Sequence, residues 1–320
     1  MGSDCVLGID GGGTKTDAIL MDSSGAVVGW GRAGPTHRGF EPEDVTSRAV
    51  LEAVKRAGVG TGDVVAYAVL SFCGAESLAP LVKSGVIGAC HSVGETEPIF
   101  AMHNREHGLV IIASTGSCVQ ARGPHRKPVH LGGYGPIIGD EGSAYDIGVR
   151  AMRACVYADW DPENTTSLRE RVLEATGSRY PYELVSFYNW RGTTRREIAS
   201  LAPVVDAEAR AGDRIASDIL GLAARDLARL GVYALRRAGM LDAPYALIPS
   251  GSVATKSGIY RSALIEAIRA EALRIEPVPP APTPALGCAL MALKDIAGNV
   301  DAETVARAWE SAERATPNTG

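Results

Sequence analysis

Residues 5–16 carry the strongest structural signal in the chain, and they are Cys5-Val6-Leu7-Gly8-Ile9-Asp10-Gly11-Gly12-Gly13-Thr14-Lys15-Thr16. The apolar run before Asp10 is typical of a buried strand, and the three glycines that follow allow unusual backbone dihedral angles. Residues 16–21 predict a second strand, and a hairpin turn at 22–25 leads into a third strand at 26–33. The chain is therefore predicted to open with an antiparallel three-stranded meander.

The glycine loop after the first strand has the composition of a phosphate-binding site. Gly11, Gly12 and Gly13 leave backbone N–H groups unobstructed, and Thr14 and Lys15 add a hydroxyl and an ammonium group. The carboxylate of Asp10 suits hydrated Mg²⁺. The spacing is not that of a Walker A loop, and a hairpin rather than a helix follows, which excludes a dinucleotide fingerprint. A glycine-rich hairpin without a ligand remains the alternative.

Length and composition limit the class of protein. The 320 residues correspond to about two domains, or to one domain duplicated. Hydrophobic residues make up 46% and charged residues 22%, which predicts a folded globular core. The net charge of −5 and the scattered basic residues argue against a nucleic-acid partner.

The expected location is the cytoplasm, without membrane contact. No apolar stretch approaches the roughly 18 residues of a membrane span, and the start at Met1-Gly2-Ser3-Asp4 lacks the layout of a secretion signal. The six cysteines are widely spaced and form no C-x-x-C pair. They are predicted to be reduced and mostly buried thiols.

A second strand-and-turn unit follows in the middle of the chain. The apolar strand 109–113 leads into Ser114-Thr115-Gly116-Ser117, then into hairpin strands at 118–122 and 128–131. A glycine cluster at 132–142 precedes a helix at about 143–157, and a later strand at 245–248 ends near Gly251 and Ser252. Because this order repeats the first half, the sequence predicts two α/β domains with a cleft between them.

The remaining segments are predicted to be mainly helical. Helices are expected at 41–58, 98–104, 213–238, 257–275, 285–297 and 301–314, with one more strand at 64–70. Residues 163–240 are mostly helical. Five prolines in residues 276–284 predict a stiff surface segment rather than a helix or a central strand.

Three further loops could contact a ligand, and each also has a structural explanation. The turn at 114–117 could bind phosphate, and Gly251-Ser252 could contact a nucleotide or simply begin a helix. Asp140 could bind a ligand or act as a helix N-cap. The glycines around Tyr134 would let the backbone approach a polyhydroxyl ligand, and the ring of Tyr134 could stack against that ligand.

Residues 103–107, His103-Asn104-Arg105-Glu106-His107, match the H-x-x-E-H pattern of a zinc peptidase. That chemistry needs both histidines on one face of a sustained helix. Gly108 and the strand after it end any helix there, so a solvated helix end is predicted instead.

Taken in order, residues 8–16, 114–117, 139–143 and 251–253 resemble the BadF/BadG/BcrA/BcrD ATPase family, and more closely its N-acetylglucosamine kinase branch. The resemblance extends to Pro284-Ala285-Leu286-Gly287-Cys288-Ala289. It implies an α/β actin/hexokinase-like fold: two ribonuclease-H-like domains that hold Mg·ATP and a sugar in their cleft, often in a homodimer. The domains would be residues 1–114 with about 291–320, and residues 115–290 with a helical insertion.

The resemblance also implies roles for individual residues. Asp10 would organise the metal. The ATP-binding residues would be Gly11, Gly12, Gly13, Thr14, Lys15, Thr115, Gly116, Ser117, Gly251 and Ser252, the last two near the adenosine. The sugar-binding residues would be His37, Cys73, Gly133, Tyr134, Gly135, Asp140 and Ala144.

Two positions depart from the family pattern at the substrate. His37 stands where family kinases usually carry a sugar-binding asparagine, after Gly34-Pro35-Thr36. Glu95-Thr96 stands where they carry the Asp-Ala that supplies the general base. Glu95 is therefore the predicted catalytic base, with Glu97 as the alternative.

The expected activity is ATP-dependent phosphorylation of N-acetylglucosamine, or of a related amino sugar or hexose, at the 6-hydroxyl. A second possibility within the family is an ATP-driven activator of an acyl-CoA dehydratase or reductase. That activity needs an iron–sulfur cluster between subunits, and the cysteine context for one is missing. A third is a non-catalytic sugar-binding sensor, suggested by His37 and Glu95.

Overall fold

The computed structural model describes residues 5–36, 41–60 and 63–315. The chain divides into two compact units. Unit 1 comprises Met1–Glu106 and Ala281–Gly320, and unit 2 comprises His107–Pro280.

The first segment of unit 1 builds a five-stranded sheet. Its elements are β1 (Cys5–Asp10), β2 (Thr16–Met21), β3 (Val27–Ala33), α1 (Glu43–Arg56), β4 (Val65–Ser71), α2 (Ala79–Lys83), β5 (Ile87–Val93) and α3 (Glu97–Met102). The strand order is β3-β2-β1-β4-β5. β1, β2 and β3 pair antiparallel, which confirms the predicted meander. β1 and β4 pair parallel, so that Asp10 lies beside Ser71 at the carboxyl end of both strands.

Strand β5 is an element that the sequence analysis did not predict. It lies at the edge of the sheet, and residues such as Gly88 and Ala89 on it are exposed. Glycine and alanine have low strand propensity, so no local pattern marks this segment. Parallel pairing with β4 forms the strand, which is a tertiary contact.

Unit 2 builds a second five-stranded sheet with more helices. Its elements are β6 (Gly108–Ala113), β7 (Ser117–Arg122), β8 (Val129–Gly132), α4 (Ala144–Trp160), α5 (Leu168–Thr176), α6 (Leu184–Asn189), α7 (Arg195–Ala199), α8 (Ala202–Arg210), α9 (Arg214–Ala238), β9 (Ala246–Ser250), α10 (Ser252–Lys256), α11 (Gly258–Arg269) and β10 (Glu276–Pro277). The strand order is β10-β9-β6-β7-β8. The two-residue edge strand β10 lies inside the proline-rich segment, where a stiff surface segment was expected.

The two sheets have the same topology. Counted from the first strand of each unit, both follow the order 3-2-1-4-5. In both, the first three strands are antiparallel and the fourth pairs parallel with the first. This repeat confirms the predicted α/β fold of two ribonuclease-H-like domains, which is the actin/hexokinase-like architecture.

The chain returns to unit 1 through α12 (Pro284–Ala297) and α13 (Ala302–Ala315). α12 packs closely on β1, because a Cβ atom at Gly8 would collide with the backbone of Ala285 and Ala289. A Cβ atom at Gly287 would likewise collide with the carbonyl oxygen of Pro98 on α3. Both glycines are therefore needed for this packing.

The boundaries of the units differ from the predicted domain limits. The predicted limit at 114/115 would place β6 in the first domain, but β6 pairs with β7 and β9 of unit 2. The predicted limit at 290/291 would divide α12, which lies in unit 1 as a whole. Unbroken hydrogen-bonding patterns, which composition does not show, explain both differences.

Each sheet has its own apolar core. Leu7, Ile9 and Leu70 belong to the core of unit 1, and Ile111 and Leu247 belong to that of unit 2. Cys73, Cys118, Cys155 and Cys288 are buried, as predicted for most of the thiols. Within the described ranges, every helix is too short or too polar to serve as a membrane span.

Candidate functional site

The carboxylate of Asp10 lies at the end of β1, where it hydrogen-bonds to the side chain of Ser71 on β4. Burial raises the pKa of Asp10 well above its usual value. The negative charges of Asp17 and Glu95 raise this pKa further, while Lys15 opposes them. Within unit 1, the predicted metal residue Asp10 and the predicted base Glu95 are therefore close enough for their charges to interact.

The glycine loop is held by backbone hydrogen bonds on both sides. Gly11 donates its N–H to the carbonyl of Ser71 at 2.9 Å, and Thr36 donates its N–H to the carbonyl of Gly12 at 3.0 Å. A Cβ atom at Gly11 would collide with Oγ1 of Thr36. Glycine is therefore required at position 11 for the loop to close against β4 and the segment after β3.

The residues at the tip of this loop are accessible to a ligand. Thr14 and Lys15 are exposed, and Gly12 and Gly13 are partly exposed. Exposed hydroxyl, ammonium and backbone N–H groups can all contact phosphate oxygens. The loop therefore has the accessibility that its predicted role requires.

Asp17 is a residue of this region that the sequence analysis missed. Its side chain is almost fully buried, and its carboxylate accepts hydrogen bonds from Lys15 Nζ at 2.6 Å, Trp30 Nε1 at 3.1 Å, Arg32 Nε at 2.7 Å and Thr283 Oγ1 at 3.1 Å. Burial alone would raise the pKa of Asp17, but the hydrogen bonds and charges of Arg32 and Lys15 outweigh it and lower the pKa. Asp17 lies opposite Arg32 across the predicted hairpin, and this pairing could have identified Asp17 from the sequence.

The other predicted residues of unit 1 lie close to the ends of the strands. Glu95 is partly buried in the turn between β5 and α3, and Glu97 is the first residue of α3. Cys73 is buried after β4, and its thiol donates to the carbonyl of Ser71 at 3.4 Å. His37 lies outside the described residues.

In unit 2, the turn 114–117 joins β6 to β7, which is the position of the glycine loop between β1 and β2 of unit 1. Ala144, the first residue of α4, donates its N–H to the carbonyl of Ser114 at 2.8 Å. Gly251 follows β9, and a Cβ atom there would collide with the carbonyl of Ala113. Three predicted motifs, 114–117, Ala144 and 251–252, are therefore adjacent.

Gly251 precedes α10, and the capping hydroxyl considered for Ser252 is not observed. Gly251 occupies the N-cap position with φ of +83°, and no side chain caps the helix. Ser252 is exposed at the first helical position. Its hydroxyl is available for a ligand.

The carboxylate of Asp140 is buried beside the turn 114–117. Ser117 donates its N–H to Oδ1 at 3.2 Å, and Arg195 forms an ion pair with Oδ2. Asp140 adopts φ of +60°, a backbone conformation that residues other than glycine rarely adopt. The N-cap of α4 is Ser143 and not Asp140, so the capping explanation for Asp140 is wrong.

Arg195 was not predicted from the sequence. It is the first residue of α7, which begins with a capping box between Thr194 and Glu197. α7 packs tightly on α4, because a Cβ atom at Gly148 would collide with the carbonyl of Ile198. The S/T-x-x-E signature at 194–197 was visible in the sequence. The contact of Arg195 with Asp140, 55 residues away, was not.

The glycine cluster after β8 is an open loop. Gly132, Gly133 and Gly135 all have φ between +75° and +85°. Tyr134 exposes 71% of its surface, so its ring is accessible for stacking. A Cβ atom at Gly135 would meet no atom within 4 Å, so a ligand can approach this part of the backbone.

The residues around Asp10 fit a magnesium ion bound together with phosphate. Mg²⁺ prefers oxygen ligands and is usually held by one or two carboxylates, substrate phosphates and waters. Asp10 supplies such an oxygen, and the negative charges of Asp17 and Glu95 act on the same position. Across the described ranges, no three His, Cys, Asp or Glu side chains are grouped to hold a metal by themselves.

The H-x-x-E-H segment has a structural role at His103. α3 ends at Met102, so His103 and His107 do not share a helix. The ring of His103 packs edge-on against Trp309, and burial lowers its pKa to about 4. Trp309 Nε1 donates to the carbonyl of Met102 at 2.7 Å, which ties α13 to the end of α3.

Two curated relatives are similar over most of the chain. An N-acetylmuramic acid/N-acetylglucosamine kinase of Clostridium acetobutylicum is 29% identical over 235 residues, which cover 69% of this chain and 76% of that protein. An N-acetyl-D-glucosamine kinase of Dictyostelium discoideum is 28% identical over 321 residues, which cover 92% of this chain and 99% of that protein.

Solved structures support the fold independently of sequence. A structure from Chromobacterium violaceum aligns with a TM-score of 0.66 at 24% identity, covering 91% of this chain and 99% of that one.

The profile of one protein family matches residues 7–292 and so spans both units. The chain belongs to the BadF/BadG/BcrA/BcrD ATPase family.

Proposed function

We propose that this protein is an ATP-dependent kinase that phosphorylates the 6-hydroxyl of N-acetylglucosamine or a closely related amino sugar. The observation that carries the proposal is the repeated position of two loops. A glycine-and-hydroxyl turn follows the first strand of each of two sheets with the same topology, at 11–16 and at 114–117. The kinase activities of the two relatives described above favour a sugar as the acceptor.

In unit 1, the proposed role of the glycine loop is to bind the phosphates. Backbone N–H groups of residues 11–13 and the side chains of Thr14 and Lys15 would neutralise the oxygens of ATP. Asp10 would hold Mg²⁺, which supplies charge neutralisation on the transferring phosphoryl group when it is bound. The hydrogen bonds from Ser71 and Thr36 hold this part of the chain in place before the ligands bind.

Glu95 is the proposed general base. Phosphoryl transfer requires a nucleophilic hydroxyl in line with the γ-phosphate, and a carboxylate in hydrogen-bond range takes its proton, contributing about 10²–10⁴-fold. Glu95 influences the pKa of Asp10, so it lies close to the proposed metal residue. Glu97, the first residue of α3, is the alternative base.

In unit 2, the proposed roles divide between nucleotide and sugar. Thr115, Gly116 and Ser117 would contact phosphate, and Gly251 and Ser252 would contact the adenosine. Asp140 would accept a hydrogen bond from a sugar hydroxyl, beside the open loop that contains Gly133, Tyr134 and Gly135. Ala144 is a further proposed sugar contact of unit 2, and His37 and Cys73 are those proposed in unit 1.

The test is ADP release from purified protein with Mg·ATP and a panel of amino sugars and hexoses. Turnover that depends on N-acetylglucosamine or glucosamine supports the proposal, and ³¹P–¹H NMR of the product identifies the phosphorylated hydroxyl. Hydrolysis that is independent of sugar, or sugar binding without turnover, would refute it.

We also propose a homodimer, which light scattering on the same sample tests.

Glu95→Gln is expected to lower kcat by at least about 100-fold while the affinity for ATP changes little, because the amide cannot accept the proton. Glu97→Gln is the matched control and is expected to retain most of the activity. If the two variants behave in the opposite way, Glu97 is the base. Unchanged turnover in both places the base elsewhere.

A further inference from the structure

The ion pair between Arg195 and Asp140 is buried, unlike the many surface ion pairs of this chain. The side chains of Arg195 and Asp140 are 17% and 3% exposed. For comparison, the residues of the Arg48–Asp44 pair on α1 are 74% and 73% exposed. An exposed pair contributes little to stability, whereas a buried carboxylate requires a partner that compensates its charge.

The guanidinium of Arg195 also lies against the turn that we propose to bind phosphate. A Cβ atom at Gly116 would collide with Nη2 of Arg195 and approach the carboxylate of Asp140 to 2.9 Å. Tyr145 on α4 is close enough for the charge of Arg195 to influence its pKa. Arg195 therefore reaches from α7 to residues 116 and 140, which belong to different loops.

The two oxygens of Asp140 have different donors, and this fixes the plane of the carboxylate. Oδ1 accepts from the backbone of Ser117, and Oδ2 accepts from Arg195. Each oxygen of an ionised carboxylate can accept a further hydrogen bond. A sugar hydroxyl that donates to Asp140 would thus meet an acceptor whose direction is already set.

We infer that Arg195 is a positioning residue for sugar recognition: it orients the carboxylate of Asp140. This inference rests on the proposed function, and it adds a role for α7 of unit 2. Arg195 acts through Asp140 rather than on the phosphates. Its removal should therefore impair use of the sugar and leave the affinity for ATP unchanged.

The experiment compares Arg195→Met and Arg195→Lys with Arg196→Met as the control. Arg196 is the next residue of α7 and is exposed, so its replacement removes the same charge without touching Asp140. Arg195→Met is expected to raise the KM for the sugar and to lower kcat/KM by about 100-fold, the usual effect of misplacing a contact by about 1 Å. Arg195→Lys should recover part of this loss, and Arg196→Met should match the wild type.

A double-mutant cycle with Asp140→Asn separates positioning from other roles. If Arg195 acts through Asp140, the effect of Arg195→Met on kcat/KM should largely disappear in the Asp140→Asn background. Additive effects, or a weaker affinity for ATP with an unchanged KM for the sugar, would overturn the inference. The Asp140→Asn/Arg195→Met protein leaves no unpaired buried charge, so it keeps the cycle interpretable if Arg195→Met alone fails to fold.

The same assays distinguish failure of this inference from failure of the proposed function. Wild-type protein without sugar-dependent turnover refutes the function. Wild-type turnover with an unchanged KM for the sugar in Arg195→Met refutes only the role of Arg195. Equal kinetics with a lower melting temperature would make the ion pair structural and nothing more.

Discussion

Two buried carboxylates, Asp17 and Asp140, lie beside the loops that we propose to bind ATP and sugar. Each is compensated by an arginine, Arg32 in unit 1 and Arg195 in unit 2. Isolated buried charges are unfavourable, so each arginine supplies the opposite charge and fixes the direction of its carboxylate. Arg32 and Arg195 thus fix carboxylates beside the proposed ligand sites without having to contact a ligand themselves.

Asp17→Asn should destabilise the protein by about 2–3 kcal/mol at pH 7, because hydrogen bonds to a charged group are replaced by weaker ones. Denaturation in urea measures the difference. Since the pKa of Asp17 is lowered in the folded state, its stabilising contribution is present above the unfolded value of about 3.9 and is lost as the pH falls further. Asp44→Asn, on the surface of α1, should change stability by less than about 0.5 kcal/mol; an equal effect of both would contradict the argument.

His103 should make the protein less stable in acid. Its pKa is lowered to about 4 in the folded state, so between about pH 6.5 and 4 the unfolded chain binds the proton more readily and the free energy of unfolding falls. Within the described part of the chain, its Nε2 atom has no hydrogen-bond partner, and phenylalanine can keep the packing on Trp309. His103→Phe should therefore lose less stability than the wild type between pH 7 and pH 4.5. Parallel losses in the two proteins would exclude this role.

At the scale of elements, helix α12 depends on the absence of side chains where it meets its neighbours. Gly8 and Gly287 allow its backbone to lie directly on β1 and α3. Close backbone contact of this kind is unavailable to any residue with a Cβ atom. The position of α12 in unit 1 is therefore sensitive to a single methyl group.

Gly287→Ala should lower the free energy of unfolding by about 1–3 kcal/mol or more, since overpacking shifts the helix. Gly258→Ala is the control: it makes the same chemical change at the start of α11, where a Cβ atom meets nothing within 4 Å. That variant should be neutral or slightly more stable, by about 0.4–1 kcal/mol. Thermal unfolding of both proteins tests the contrast, and a neutral Gly287→Ala would refute it.

Gly148→Ala should test how α7 carries Arg195. The added methyl group collides with the carbonyl of Ile198 and moves α7 away from α4. Because Arg195 is the first residue of α7, the KM for the sugar should rise while the affinity for ATP is retained. A destabilised protein with an unchanged KM for the sugar would show that α7 can shift without displacing Arg195.

At the scale of the whole molecule, two units with the same sheet topology each have a separate apolar core. A core substitution should therefore act mainly within its own unit. Leu70→Ala, in the core of unit 1, should cost about 2–5 kcal/mol and speed hydrogen exchange in β1–β5 more than in β6–β10. Leu247→Ala should give the reverse pattern. Equal loss of protection in both sheets would show that the units unfold together.

Local chemistry along the chain was enough to predict the meander, the two-domain α/β fold and the loops at 11–16 and 114–117. Apolar runs and glycine clusters act over a few residues, so they are visible in the sequence. β5 was missed because an edge strand rich in small residues has no such pattern and is formed by pairing with β4.

Tertiary structure alone decided which side chains distant in the sequence meet. Arg195 reaches Asp140 across 55 residues, and Thr283 reaches Asp17 across 266. Ion pairs are determined by distance in space, and sequence spacing contains no record of that distance once the chain has folded back on itself. The loops of the proposed site were therefore predictable, whereas the contact of Arg195 with Asp140 was not.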